Sequence, residues 1–386
     1  MSRTSLFLLL LLDWSCTAPD LDQGSSIPNS EIFRSREVDF RLELVTRGMK
    51  NPWSMDWLPD GRALISDRRA GKLYLLASED STRTLICNAP QAFTYLDSGM
   101  REVLVPPTFS DEGWIYLSYD SVQPDSTSTL IVERAKLQDS CLTERQILFT
   151  ALPWYRSGYH YGGRLLWREG YLFITVGDRH FRDSAQLLHT HNGKIMRIHG
   201  DGRIPDDNPF IQQTVARPEI WTYGHRNPQG LALDPATQQI WEHEHGPKGG
   251  DEINLILRGR NYGWPLVTYG EEYEGGPVGE GLAFREGMEP PFRHYSPSVA
   301  PSGLTFYTGK DFPAWQGNLF FGAMGQRNLY RIGMQEGRIR AEERLLEAKN
   351  WRIRFVRQGP DQQLYFGTDE GEVWRICPLK SAGGQE

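Results

Sequence analysis

The chain has 386 residues, a formal charge of −7, 39% hydrophobic and 12% aromatic residues, with 39 Gly and 24 Pro. This composition excludes a disordered or fibrous chain and supplies enough apolar surface for a core crossed by many turns. The acidic balance and the lack of a dense Lys/Arg run exclude a general nucleic-acid binder.

At the N-terminus Arg3 precedes an apolar run from Leu6 to Leu12, and Cys16-Thr17-Ala18 follows. The run is too short to span a bilayer and has the charged-then-apolar order of a secretory signal. Cleavage after Ala18 makes residues 1–18 a signal peptide. A lipidated Cys16 is the rival reading, and it alone gives the protein a membrane contact. Residues 19–38 are polar, contain Pro, Ser and Gly, and read as a tether. The body, residues 39–380, is therefore expected to be exported and periplasmic, free or lipid-anchored. Cys87, Cys141 and Cys377 remain, and an odd count excludes full intramolecular pairing. A Cys87–Cys141 disulfide is open to such a body.

From residue 59 onward one phrase recurs: a turn, a short alternating apolar and aromatic strand, then a polar loop. It reads PDGRALISDR at 59–68, DEGWIYLSYD at 111–120 and REGYLFITVGDR at 168–179. It returns as TQQIWEHEHG at 237–246, QGNLFFGAMG at 316–325 and PDQQLYFGTDEG at 360–371. Such alternation points one side chain of each pair toward a packed sheet. Six copies predict an all-β chain, a six-bladed β-propeller of four-stranded antiparallel blades. A two-sheet sandwich is the alternative. The only helical phrase is AEERLLEA at 341–348.

In a propeller the loops at one end of the channel converge, so each blade is expected to donate a few site residues. His160, among glycines and tyrosines in SGYHYGGR, suits a general base; a loop histidine packed on tyrosine is the plainer reading. Arg226, Asn227 and Gln229 come from one proline-restricted turn and suit recognition of a planar anion, or a bridge between blades. Arg352 and Arg354 share a strand face and repel unless an anion intervenes, which suits a polyanionic ligand or an exposed edge. Glu244, with the turn carbonyls of Gly246 and Pro247, suits hard-oxygen coordination of calcium. His243-x-His245 makes zinc a weaker alternative, since no third ligand has a recognisable spacing.

Together these segments resemble the soluble aldose sugar dehydrogenases that depend on pyrroloquinoline quinone (PQQ), a family of six-bladed propellers. The resemblance spans about residues 42–377. It rests on NPWSMDWLPDGRALIS, SGYHYGGRL, GRIPDDNPF, YGHRNPQGLALDP, EHGPKGGDEINLILRGRNYGWP, PSGLTFYTG and RIRFVRQGPDQQLYFGTDEG. It implies an enzyme in which His160 takes the anomeric hydroxyl proton of an aldose while hydride passes to PQQ. Arg226 and Asn227 would hold the quinone oxygens, with Gln229 behind them, and Arg352 and Arg354 the cofactor carboxylates. Ca2+ would sit near Glu244, Gly246 and Pro247. Electrons would leave to an acceptor such as a quinone, a cytochrome or a dye.

The chain departs from that pattern in three places. Asp97 stands where the family has a cofactor-contacting glutamine, and Arg101 is the expected compensating charge. Gly325 replaces a cofactor-binding lysine of some members, and Phe355 an aspartate. Two readings from other classes therefore stay open: a sugar- or partner-binding propeller that has lost PQQ, and a calcium-dependent propeller lactonase.

Overall fold

The computed structural model describes residues 31–78, 82–335 and 337–379. The expected signal peptide, Cys16 and residues 19–30 of the tether lie outside them. Six antiparallel sheets form the blades of a β-propeller. The first strand of each blade touches the next and closes a ring: Pro52–Trp57, Met100–Leu104, Gly162–Arg168, Pro228–Leu233, Pro301–Phe306 and Ile353–Gln358.

The six repeated phrases are the second strands of the six blades. They run over Ala63–Asp67, Trp114–Val122, Tyr171–Val176, Ile240–Glu244, Leu319–Ala323 and Leu364–Thr368. Neighbouring blades cover both faces of these strands, which is why apolar residues dominate them. Between the fifth and sixth blades Trp315 meets Phe320 at 5.3 Å and Phe40 at 5.6 Å between ring centroids. Each such buried side chain contributes about 1.5–3 kcal/mol.

The ring is closed by the N-terminal strand Asp39–Thr46, which pairs with Val373–Pro378 as the fourth strand of the sixth blade. Residues 32–34 depart from the tether expectation: Ile32–Arg34 adds an edge strand outside Asp39–Thr46. The cause is Phe33, which stacks on the buried Phe40 at 5.6 Å.

The phrase AEERLLEA is likewise not a helix. Arg338–Leu345 is a strand, followed by a single 3-10 turn at Glu347–Lys349. Good helix formers yield here to pairing with Asn328–Gln335, where Glu343 faces Arg331 and accepts two hydrogen bonds from it. Cys87 and Cys141 are disulfide-bonded, with Cα atoms 4.5 Å apart, and tie the end of the first blade to the outermost strand of the second. Cys377 is buried and free.

Arg164, on the first strand of the third blade, fastens the ring from inside. Its guanidinium donates to the carbonyls of Gln229, Trp53 and Arg354 at 2.7–3.2 Å and to Glu102 at 3.1 Å. It lies over the Trp53 ring at 3.6 Å. Five blades thus meet at one side chain. Burial depresses its pKa to about 10 against the pull of Glu102, so it stays charged.

Arg164→Met is expected to cost about 3–5 kcal/mol, because it strips the buried Glu102 of one of its two cations. A urea midpoint corresponding to less than about 1 kcal/mol of loss contradicts the assignment. Reducing the disulfide, which closes a 54-residue separation, is expected to cost about 2–4 kcal/mol. A melting temperature unchanged in reductant contradicts that.

Candidate active site

Four of the six second strands carry an aspartate within two residues of their C-terminal ends, and each holds a neighbouring segment in place. Asp67 accepts the backbone N–H groups of Lys50 and Asn51. Asp120 accepts Arg101 Nε and the Gly99 N–H. Asp178 bonds His160, and Asp369 accepts from Arg352, Arg354 and Asn51. Above them opens a cavity of about 420 Å³. Its wall carries five guanidinium groups, of Arg68, Arg101, Arg226, Arg352 and Arg354, against one carboxylate, Asp97.

His160 is buried in this wall with a left-handed backbone, φ 51°. Gly177 is required behind it, since a Cβ there would lie 2.1 Å from the His160 carbonyl oxygen. His160 Nδ1 lies 2.7 Å from Asp178 Oδ1, while Trp264 Nε1 donates to the other carboxylate oxygen at 2.7 Å. Asp178 is itself depressed, because the adjacent imidazole and Arg226 outweigh its burial. An ionised Asp178 makes Nδ1 the protonated nitrogen and leaves the lone pair on Nε2. Burial lowers the His160 pKa, and Asp178 opposes that shift without cancelling it. The imidazole is therefore neutral at physiological pH.

Arg226 donates to the carbonyl oxygens of His245 at 3.1 Å and Gly246 at 2.6 Å, and its Nε is buried without a partner. Gln229 donates to Asn227 Oδ1 at 3.1 Å and so fixes which way that amide points. Arg352 and Arg354 do lie side by side, and the anion between them is Asp369. Nε of each donates to it at 2.9 Å. The two guanidiniums hold that carboxyl well below the usual range in spite of its burial.

Asp97 is on the wall, but its compensating charge is not Arg101. Arg101 is committed to the buried Asp120 and reaches only the Asp97 carbonyl. The cation facing the Asp97 carboxylate is Arg68, at 3.8 Å. Burial and the neighbouring Arg354 and Arg101 depress the Arg68 pKa to about 9, which favours any further anion beside it.

Gly246 and Pro247 line the cavity, whereas Glu244 does not. Its carboxylate turns into the blade toward His225 Nδ1 at 3.1 Å and accepts the Arg226 N–H. There Glu242, Glu244 and His225 bring ligand atoms within 4.8 Å of one another. Glu242 and Glu252 are raised well above the ordinary carboxylate range, by burial first and by Glu244 second. Glu242 Oε1 and Asn254 Oδ1 have no partner. His243 and His245 take no part in this cluster, because their Nε2 atoms bond to the carbonyls of Gly303 and Pro301 in the fifth blade.

Residues 49–375 match the profile of the family described as Glucose / Sorbosone dehydrogenase. The chain belongs to the glucose/sorbosone dehydrogenase family. It is 35% identical to "Aldose sugar dehydrogenase YliI" of Escherichia coli strain K12 over 384 residues, which cover 98% of this chain and 100% of that one. It is 30% identical over 268 residues to "Quinoprotein glucose dehydrogenase B" of Acinetobacter calcoaceticus, over 62% of this chain and 55% of that one. Among solved structures a glucose dehydrogenase superposes with a TM-score of 0.85 at 40% identity, covering 88% of this chain and 100% of the other. Membership of the glucose/sorbosone dehydrogenase family makes the cavity the candidate active site of a sugar-oxidising enzyme.

Asp178→Asn tests the electrostatics of that site. It is expected to lower kcat by about 100-fold or more, because Nδ1–H loses its acceptor. In the wild type the acid limb of kcat/KM is expected below the ordinary histidine pKa of 6.5, since the shift is downward. Asp178 is the group that raises that pKa, so the variant's limb is expected lower still. A limb that moves upward contradicts the assignment.

Proposed function

We propose that this protein oxidises aldoses at the anomeric carbon to lactones, using PQQ with calcium. The observation that carries the reading is His160, fixed by Asp178 at 2.7 Å, opening onto a cavity walled by five arginines. A neutral base beside concentrated positive charge suits proton removal next to a polyanionic redox partner.

The residues fit PQQ, a planar tricarboxylate. Arg352 and Arg354, which share a single aspartate, and Arg68 would hold its carboxylates, and Arg226 with its unpartnered Nε would hold a quinone oxygen beside Asn227. Bound PQQ supplies a two-electron acceptor for the hydride on the sugar's C1. His160 Nε2 takes the hydroxyl proton, and Asp178 stabilises the imidazolium that results. Gln229 keeps Asn227 from rotating.

Calcium, as a Lewis acid, would be held on the cavity side by the carbonyls of Gly246 and Pro247. Glu244 does not reach that side: its carboxylate turns into the blade, where it accepts the Arg226 N–H and so steadies the turn behind Gly246. The name of the quinoprotein relative supports a quinone as the cofactor. Electrons would pass on to a quinone, a cytochrome or a dye. Export to the periplasm, with or without a lipid on Cys16, is part of the same proposal.

A cofactor-free binding propeller would need Asp97 to repel PQQ, but Arg68 already faces that carboxylate. A lactonase would not need Arg352. The test adds PQQ and Ca2+ to purified apo-protein and follows dye reduction with a panel of aldoses. Activity is expected to need both additions and to vanish in His160→Ala. Arg352→Ala is expected to weaken PQQ binding about 10- to 100-fold. Lactone hydrolysis that Arg352→Ala leaves intact, with no PQQ binding, overturns the reading.

A further inference from the structure

The geometry points to His180 as a proton relay that clears the base His160 between turnovers; this rests on the aldose-oxidising reading above. A proton that arrives on His160 has no exit through the Nδ1 side. Asp178 already engages His160 Nδ1, Trp264 Nε1 and the His180 N–H. His160 is 8% exposed, so bulk water reaches it poorly. The group that meets its Nε2 is His180, whose own Nε2 stands 3.1 Å away.

His180 is held there from three directions. Its N–H donates to Asp178 at 2.9 Å, its backbone is left-handed at φ 64°, and its ring stacks on Tyr159 at 4.7 Å and 15°. The Tyr159 platform is fixed in turn by Arg179, which is buried and donates to the carbonyl oxygens of Tyr159 and Ser157. His180 itself is exposed. With Tyr159 it forms the wall shared by the catalytic cavity and a neighbouring aromatic groove. One ring thus touches both the buried base and the outside.

The charged groups facing this pair are Asp178, Asp97 and Arg226. Burial and the adjacent His160 depress the His180 pKa to about 4, so it rests neutral and carries a single N–H. In the substrate-free state His180 Nε2–H donates to the lone pair of His160 Nε2. The sugar hydroxyl displaces that bond and leaves its proton on His160, while the hydride goes to the quinone. Once the lactone departs, His180 returns as the tautomer protonated on Nδ1. His160 Nε2–H then breaks as His180 Nε2–H forms, and the Nδ1 proton leaves to solvent. One proton enters and one leaves, with no charge stored on the wall.

Two variants test this in the full protein with PQQ, Ca2+ and glucose at saturation. His180→Gln keeps the main-chain bond to Asp178 but cannot pass a proton through its side chain, and His180→Gly leaves room for a free base. Both are expected to lower kcat about tenfold with KM changed less than twofold. Added imidazole is expected to restore turnover in His180→Gly and not in His180→Gln. Without cofactor, the 15N shift of His160 Nε2 in apo-protein is expected to move in His180→Gly, since the ring that bonds it is gone. Wild-type kcat in either variant overturns the relay. So does a kcat loss in His180→Gly that imidazole leaves unchanged, or an Nε2 shift that stays unmoved in that variant. A wild type that oxidises no aldose overturns the function reading and the relay with it, whereas normal wild-type turnover with unaffected variants overturns the relay alone.

Discussion

The guanidinium of Arg164 is the constraint on which the rest of the structure depends. It draws carbonyls from three blades and a carboxylate from a fourth onto a side chain of a fifth. A propeller has no single core; its apolar packing lies between blades, and nothing in that packing fixes the channel radius. A buried charge does, because each carbonyl that drifts away leaves part of the guanidinium unsolvated. The first strands start beside this hub, so the loops at their entrances are held at fixed separations across the mouth.

On that frame the second strands do the positioning. Asp120, Asp178 and Asp369 sit within two residues of the strand ends and each faces a cation or imidazole of the wall. The arrangement keeps five guanidiniums together without discharging the cavity. Asp369 is shared between two arginines, and Asp120 is spent on Arg101 and the Gly99 N–H. What remains is a surplus of positive charge facing inward, next to an imidazole kept neutral by burial. A wall of this kind suits both the binding of an anion and the removal of a proton.

Much of this was legible in the sequence because it is written locally. The repeated phrases are second strands, and alternation betrays a strand packed on both sides. His160, Arg226, Asn227 and Gln229 announced themselves by unusual residue types in short turns. Other features depend on partners distant in sequence. Asp369 neutralises Arg352 and Arg354 from the next strand, and Arg68 rather than Arg101 faces Asp97. The sequence set Glu244 beside the Gly246 and Pro247 carbonyls but could not say that its side chain looks into the blade. The helix-like AEERLLEA became a strand because Arg331 and its neighbours offered it an edge. The aspartates themselves left a signal: four of the six phrases place an Asp within two residues of the strand end, and position in the repeat, read across copies, would have singled out Asp178.

The most direct measurement is the effect of deuterium at C1 of glucose on the single-turnover rate of the PQQ- and calcium-loaded protein, with the product identified. The account predicts a several-fold slower turnover with the C1-deuterated sugar and a 1,5-lactone as product. An undiminished rate together with a product oxidised elsewhere than C1 would contradict it.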